Sequence, residues 1–419
     1  MSRHGPAAER WVLIACVMVG VLAVILRAAW FGVADRSPDE QLYAGFAHGI
    51  SQQGPGWFPN MVSLYTNDGD VDYPWVHRAG YLSLVALAQL ATRRHDAVAG
   101  ELLSTLASLA GIALAGLLAW RWAGPLASML TLLFLAVSPL DLAIARRAWQ
   151  DTTIAFLTLA MVALALRSLE AARPWRWRWA FLGLSAFTLL VKESALIPFG
   201  LGVLVLTWDA WRHRGHVLAP IAVLAGGGLV LAVLAGTLLV LCGGLENARE
   251  LIRLTPEAWK SDWYIRDYQT GGPGYYLTGL RILQPLPWAL GVLAAVVVVL
   301  RPRLLAGRDG SAHLATVLRL LGGYVLIFLM VSCAYSSKNM RFLSPLYGPV
   351  ALLAAALVTR GLTALRSLLP VAAWRTVTAV VTVVLVLSAF SDARRFDHWF
   401  NGLQIQDLAT PWFTKADAH

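Results

Sequence analysis

Long apolar runs alternate with short arginine-bearing stretches along most of the chain. About 20 apolar residues cross the hydrocarbon core of a bilayer as a helix. Trp11–Trp30 is the first run of that kind. Ten more follow: Val98–Ala119, Pro125–Leu140, Thr152–Leu169, Trp179–Val191, Ser194–Trp208, Val217–Leu241, Ile282–Leu300, Leu314–Ala334, Phe342–Thr359 and Trp374–Phe390. The pattern predicts an all-α polytopic membrane protein with about eleven transmembrane helices.

Two polar interruptions divide the series. The first lies in 31–97 and holds Gly54-Pro55-Gly56, Asn67-Asp68-Gly69-Asp70 and Tyr73-Pro74-Trp75, all turn formers. The second covers 243–281. The expected organisation is an N-terminal span (1–30), a first outer loop (31–97), spans two to seven (98–242), an outer substrate loop (243–281), spans eight to eleven (282–390) and an outer tail (391–419). Gly80–Ala91 is apolar but too short to cross, and it reads as a helix lying in the interface. That reading fixes parity. It leaves the arginines at 173–178, 212–214 and 301–308 in short cytoplasmic loops, as the positive-inside rule requires. Counting Gly80–Ala91 as a span would turn those clusters outward.

Composition agrees. Of 419 residues, 58% are hydrophobic and 14% charged, and the mean hydropathy is +0.62. Soluble domains carry about 25% charged residues. The net charge of +10 comes from arginines between apolar runs, with no basic run interleaved with aromatics, so nucleic acid is not an expected partner. Cys16, Cys242 and Cys333 lie in or at the ends of apolar runs and show no disulfide framework or zinc spacing. The basic start and long first run read as a retained span rather than a cleaved signal.

This topology sends a restricted set of polar residues to the outer boundary. They are Asp39-Glu40, Tyr73, His77-Arg78, Arg146-Arg147, Asp151, Lys192-Glu193, Lys338 and Arg341. Arg and Lys at headgroup depth can bind a lipid-linked phosphate by charge-assisted hydrogen bonds. Nearby carboxylates can take a proton from a hydroxyl. Each residue also has a plainer reading. Pro38-Asp39-Glu40 could start and cap a helix, Asp151 could cap the next span, and the cations could snorkel to headgroups. Tryptophans and tyrosines at 259–268 suit sugar faces and equally an aromatic belt.

The order of short motifs resembles a known family. Pro38-Asp39-Glu40-x-x-Tyr43 comes first, then Tyr73-Pro74 followed by the apolar Tyr81–Leu90. Ser138-Pro139, Ala145-Arg146-Arg147 and Asp151 come next, then Leu190-Val191-Lys192-Glu193. Pro273-Gly274-Tyr275-Tyr276-Leu277 with Leu286-Pro287-Trp288 and the Lys338-Asn339-Met340-Arg341-Phe342-Leu343-Ser344-Pro345 run complete it. Over roughly 10–360 the chain resembles the polyprenyl-phosphate-sugar-dependent GT-C glycosyltransferases, in the protein O-mannosyltransferase and lipid A aminoarabinose transferase superfamily. Tyr73 stands where that family often has Lys, which leaves a donor-phosphate contact either missing or moved to His77 or Arg78.

The resemblance implies a GT-C-type helical bundle with interfacial helices in the first outer loop. It also implies an inverting transfer of a sugar from a polyprenyl-phosphate donor to an acceptor hydroxyl of a glycan, lipid or protein, on the extracytoplasmic face of an inner or plasma membrane. Asp39, Glu40 and Asp151 would be the catalytic carboxylates. Lys338 and Arg341, then Lys192 and Arg147, would hold the donor phosphate. Tyr43, Tyr73, His77, Arg78 and Tyr275 would contact substrate. No cofactor is required, although some relatives use a divalent cation that Asp39 with Asp151 could hold. The alternative is a transporter or flippase of a lipid-linked substrate, whose mark would be ionisable groups near the bilayer midplane. A third reading is a catalytically inactive scaffold of the same fold.

Overall fold

A computed structural model describes residues 6–29, 31–32, 37–67, 72–214, 217–261, 263–306 and 312–416. The turn formers Asp68-Gly69-Asp70, and also Arg36 and Asp262, lie outside the described residues. All regular structure among the described residues is helical. In chain order the helices begin with α1 (Pro6–Ala29), α2 (Pro38–Gln53), α3 (Trp57–Asn67), α4 (Ala79–Thr92), α5 (Ala97–Ala123), α6 (Pro125–Ala136) and α7 (Pro139–Ala145). Next come α8 (Asp151–Glu170), α9 (Pro174–Val191), α10 (Leu196–Arg214), α11 (Leu218–Leu241), α12 (Leu245–Ser261), α13 (Trp263–Tyr268) and α14 (Tyr275–Leu283). The last are α15 (Pro285–Leu300), α16 (Arg303–Ala306), α17 (Ala312–Ala334), α18 (Tyr347–Leu368), α19 (Val371–Phe396) and α20 (Thr410–Ala416).

The expected spans overlap these helices, but Pro125–Leu140 is divided between α6 and α7, and Ile282–Leu300 between the end of α14 and α15. Eight stretches among the described residues are long and apolar enough to cross a bilayer, and a ninth is the pair α6–α7, bent by 58°. Helix α15, at 16 residues, is apolar but shorter. Helix α9 is 18 residues long and carries Arg176 and Arg178 near its start. Prolines open α6, α7, α9 and α15 at the first helical turn, where the missing N–H costs no hydrogen bond. The apolar Gly80–Ala91 stretch is α4, of 14 residues, too short to span.

The chain divides into two compact units. The first gathers residues 1–35, 105–146 and 271–419. Its centre is the α18 span, 72% buried, which packs against α6 and α15. The α19 span in the same unit is only 6% buried, leaving Val380, Val383, Leu387 and Phe390 exposed as a lipid-facing surface would be.

A buried polar network ties α1, α5 and the α6–α7 break together. Arg27 pairs with Asp141 and donates to Ser108 Oγ (2.7 Å) and to the carbonyls of Leu135 and Ala136 (both 3.3 Å). Ser108 in turn donates to Asp141 Oδ2 at 2.5 Å. The helix break frees carbonyls, and the guanidinium takes them up. An unpaired charge or carbonyl at that depth would cost several kcal/mol, on the order given for lipid-buried polar groups.

The second unit holds residues 36–104 and 147–270. Helices α8, α9, α10 and α11 pack side by side in it, and α4 lies against α2 and α9. Gly80 sets the last contact. A Cβ there would come within 2.9 Å of the Leu190 carbonyl carbon, so only glycine lets α4 approach the end of α9 this closely.

Candidate active site

The acidic motif forms in the second unit as its sequence suggests. Pro38 occupies the first turn of α2 and Ser37 precedes it in an extended conformation. The Glu40 carboxylate reaches back to accept the Ser37 N–H at 2.8 Å, the return half of a capping box. The same carboxylate does more. It is fully buried, accepts the Ala148 N–H at 2.8 Å and pairs with Arg147 at 3.1 Å. The Arg147 guanidinium also lies 5.6 Å from the centre of the Trp149 ring. Trp149 Nε1 donates to Ser37 Oγ at 3.3 Å, closing the circuit between the start of α2 and the approach to α8. Asp39, next door, is half-buried.

A second buried pair stands at the start of α8. Asp151 is the first residue of that helix and Gln150 takes the cap position. Asp151 is therefore not the cap. It is fully buried and accepts from Lys192 Nζ at 2.6 Å through Oδ1, while its Oδ2 has no hydrogen-bond partner. Lys192 ends α9 in an extended conformation, which turns its side chain back towards α8. A buried carboxylate with one satisfied and one unsatisfied oxygen is a costly arrangement unless the open oxygen has a use.

Tyr81 is fully buried beside Tyr43. Its buried phenol is pushed well above its ordinary pKa by burial first, then by the charges of Tyr43 and Glu40, with Asp151 adding to the effect. Tyr43 packs edge-on against Tyr81 at 5.7 Å and accepts a hydrogen bond from Arg78. The Arg78 guanidinium stacks 4.0 Å from the Trp75 ring centre. Tyr73 lies 5.1 Å from the same ring, and its hydroxyl shares a hydrogen bond with Thr255 of α12 at 2.9 Å. His77 completes this aromatic and cationic wall, 4.0 Å from Glu193. Burial and then the Arg78 charge push the His77 imidazole down to about 4, against the pull of Glu193. His77 is therefore neutral at physiological pH.

Lys338, Arg341 and Tyr275 belong to the first unit. Lys338 is 1% exposed, and its ammonium donates to the carbonyls of Ser332, Cys333 and Tyr335 at 3.4, 2.8 and 2.6 Å. It caps the C-terminal end of α17, where carbonyls lack helical partners and the dipole favours a cation. The Tyr276 ring centre is 5.7 Å from the same nitrogen. Arg341 is half-buried at the start of a 3₁₀ turn, Met340–Leu346. Tyr275 is nearly buried and accepts the Thr410 N–H through its hydroxyl at 2.9 Å.

No family model and no curated protein matches the sequence. Solved structures do. ArnT from Cupriavidus metallidurans in the apo state superposes with a TM-score of 0.58 at 20% identity, over 84% of this chain and 60% of that one. The oligosaccharyltransferase of Archaeoglobus fulgidus tethered with an acceptor peptide gives 0.60 at 12% identity, over 92% of this chain and 55% of that one. The arabinosyltransferase EmbB from Mycobacterium smegmatis gives 0.54 at 16% identity, over 86% of this chain and 31% of that one.

The fold is that of the GT-C glycosyltransferases. The chain spans about three fifths of the length of ArnT. On the GT-C fold of this chain, nine of the twelve residues singled out from sequence fall in the second unit: Asp39, Glu40, Tyr43, Tyr73, His77, Arg78, Arg147, Asp151 and Lys192. Sequence reasoning passed over Tyr81, Asn339 and the Arg27–Asp141 pair. Arg27 alone gave a signal, as a charge inside the first apolar run. Among the described residues no group of three or more His, Cys, Asp or Glu side chains could hold a metal ion. Asp151 already carries Lys192 on one oxygen. This donor set does not fit a divalent cation.

Proposed function

We propose that the chain is an inverting membrane glycosyltransferase. It moves a sugar from a polyprenyl-phosphate donor to an acceptor hydroxyl on the extracytoplasmic face of a plasma or inner membrane. The observation that carries this reading is the set of two fully buried carboxylates, each paired with a cation, at the starts of α2 and α8 on a GT-C fold. ArnT has been solved bound to undecaprenyl phosphate, and the Archaeoglobus fulgidus enzyme AglB with a dolichol-phosphate and an inhibitory peptide. Those ligands support a lipid-linked donor here.

Glu40 is committed to Arg147 and two backbone N–H groups. By its place in the Pro38-Asp39-Glu40-x-x-Tyr43 motif, Asp39 is the carboxylate assigned as general base. It takes the acceptor hydroxyl proton as that oxygen attacks the anomeric carbon from the face opposite the phosphate. The sugar–phosphate C–O bond breaks, its electron pair leaves on the polyprenyl phosphate, and the anomeric configuration inverts. Asp151 Oδ2, open and buried, orients a sugar or acceptor hydroxyl. A phosphate leaving group needs charge stabilisation more than protonation. By its place in the Lys338-Asn339-Met340-Arg341 run, Arg341 is the leading candidate for that role. The aromatic wall of Tyr43, Tyr73 and Trp75 with Arg78 and neutral His77 offers stacking and hydrogen bonding to a sugar.

The test is transfer of a labelled sugar from a polyprenyl phosphate by the purified protein in vesicles. Asp39→Asn should reduce turnover at least about a hundredfold, the usual contribution of a general base. Undiminished transfer by that variant removes Asp39 from the mechanism. Lipid-linked sugar crossing the vesicle membrane without any transfer replaces the enzyme reading with a carrier.

A further inference from the structure

Within the first unit, the chain beyond α19 folds back over the segment that carries Lys338 and Arg341. It starts with a wide π-helical turn, Asp397–Gly402. Arg146 holds that turn, donating to Asn401 Oδ1 at 2.6 Å and to the Phe400 carbonyl. Its guanidinium also lies 5.2 Å from the Phe396 ring centre. Further on, Leu408, Ala409 and Phe413 are at most 1% exposed. The Met340 N–H donates to the Leu408 carbonyl at 3.0 Å, and Thr410 Oγ1 donates to the Tyr275 carbonyl at 3.2 Å. Gly279 of α14 marks how tightly these pieces meet. A Cβ there would lie 2.5 Å from Met340 Sδ and 2.9 Å from Thr410 Oγ1.

At the centre is one side-chain amide. Asn339 is fully buried. Its Nδ2 donates to Asp407 Oδ1 at 3.0 Å, and its Oδ1 accepts the Arg341 N–H at 3.1 Å. An amide can be seated in either of two orientations, and its partners decide which. An ionised Asp407 only accepts, so it selects the orientation with Nδ2 facing the tail. That leaves Oδ1 facing the Arg341 N–H. The flipped amide would set oxygen against oxygen at Asp407 and N–H against N–H at Arg341. Asp407 and Arg341 also act electrostatically on the same phenol, that of Tyr275, with opposite signs.

We propose that Asp407 is a positioning residue for Arg341, acting through the orientation of the Asn339 amide, and so sets the affinity for the donor's phosphate. The proposal rests on the reading of Arg341 as a phosphate-binding group. Asp407 touches no substrate. It fixes the backbone from which the Arg341 side chain departs, so its loss weakens donor binding and leaves the chemical step intact.

The experiment measures three quantities on the full chain in detergent: binding of a labelled polyprenyl phosphate without sugar, donor KM and kcat, and hydrogen exchange of peptides covering Arg341. Asp407→Ala and Asn339→Ala should each weaken binding and raise donor KM about fivefold to tenfold, the effect of one buried hydrogen bond. Their kcat should stay within about twofold, and exchange at Arg341 should accelerate. The double variant should be no worse than either single one, as expected for residues acting in series. Asp407→Asn keeps an acceptor oxygen and should restore wild-type behaviour. Thr410→Val loosens the same tail without touching the amide and should leave KM unchanged. Unchanged exchange at Arg341 in Asp407→Ala overturns the proposal. So does an Asp407→Asn variant as weak as Asp407→Ala, or a Thr410→Val variant equally impaired. A wild-type protein that binds no polyprenyl phosphate, while Asp407→Ala still accelerates exchange, refutes the functional reading and not the positioning.

Discussion

Buried cations are held in two opposite ways, and carboxylate partners occur in both units, as the Arg27–Asp141 pair of the first shows. In the second unit, Arg147 and Lys192 face carboxylates, Glu40 and Asp151. In the first unit, Lys338 faces three backbone carbonyls at the end of α17. A carboxylate partner brings a second charge that must also be kept from water. Its removal strands the cation, and removal of the cation strands the carboxylate. Carbonyls at a helix end are neutral, were without partners in any case, and lose only hydrogen bonds when the cation goes. Paired charges are therefore the fragile arrangement, and at α8 the pair leaves one acidic oxygen, Asp151 Oδ2, without a hydrogen bond. The carbonyl-bound lysine is the robust arrangement, and its chemistry is spent on the fold.

The sharpest way to break this contrast is at α8. Asp151→Ala leaves Lys192 buried without its counter-ion and should cost about 3–5 kcal/mol, read as a fall in the thermal midpoint of the purified protein. Asp151→Leu combined with Lys192→Met should recover most of that loss while transfer stays absent. Recovery of transfer in the double variant would show that the pair serves only the fold. At α17, Lys338→Met should cost less, about 1–2 kcal/mol for the carbonyls left short of a donor. A cost at Lys338 equal to that at Asp151 would erase the distinction between the two arrangements.

The smallest effect is expected at His77. Its folded pKa of about 4 lies below the ordinary 6.5. Between those values the unfolded chain binds a proton that the folded chain does not. Its effect on stability is therefore constant above about pH 6.5, and stability is lost as pH falls towards 4. Thermal midpoints at pH 7 and pH 5 should drop further for the wild type than for His77→Gln. Equal drops would show that the imidazole is not held neutral by its surroundings.

The helical fold was largely legible because bilayer thickness imposes a length on every apolar run. Helix ends were less so: the apolar runs start at Trp179 and Ile282 and pass through Pro139, whereas helices begin at Pro174, Pro285 and Pro139. The division of labour inside the acidic motif was not legible. In sequence, Asp39 and Glu40 read alike, as catalytic carboxylates or as a helix cap. Glu40 is a cap and also the buried partner of Arg147, 107 positions away in the chain. Nothing local to Pro38-Asp39-Glu40 encodes that partner. Similarly, Asn339 was visible only as a letter between Lys338 and Arg341, because its role depends on Asp407, 68 positions later. Adjacent arginines also read alike in sequence. Arg146 serves the tail turn at Phe400 and Asn401, and Arg147 serves Glu40.

The Arg27–Asp141 pair bears on how the chain is made. A ribosome delivers α1 to the membrane before α7 exists, since the partners are 114 positions apart. Arg27 therefore enters the bilayer as an unaccompanied charge. Its seat in the last turn of α1 keeps the cost below the roughly 2.5–3.5 kcal/mol charged at a helix centre during insertion. The first helix stays provisional, its guanidinium reaching for headgroups, until the broken α6–α7 hairpin arrives with its carboxylate and freed carbonyls. Biogenesis of the first unit is thus ordered: α1 is anchored for good only after more than a quarter of the chain has been threaded.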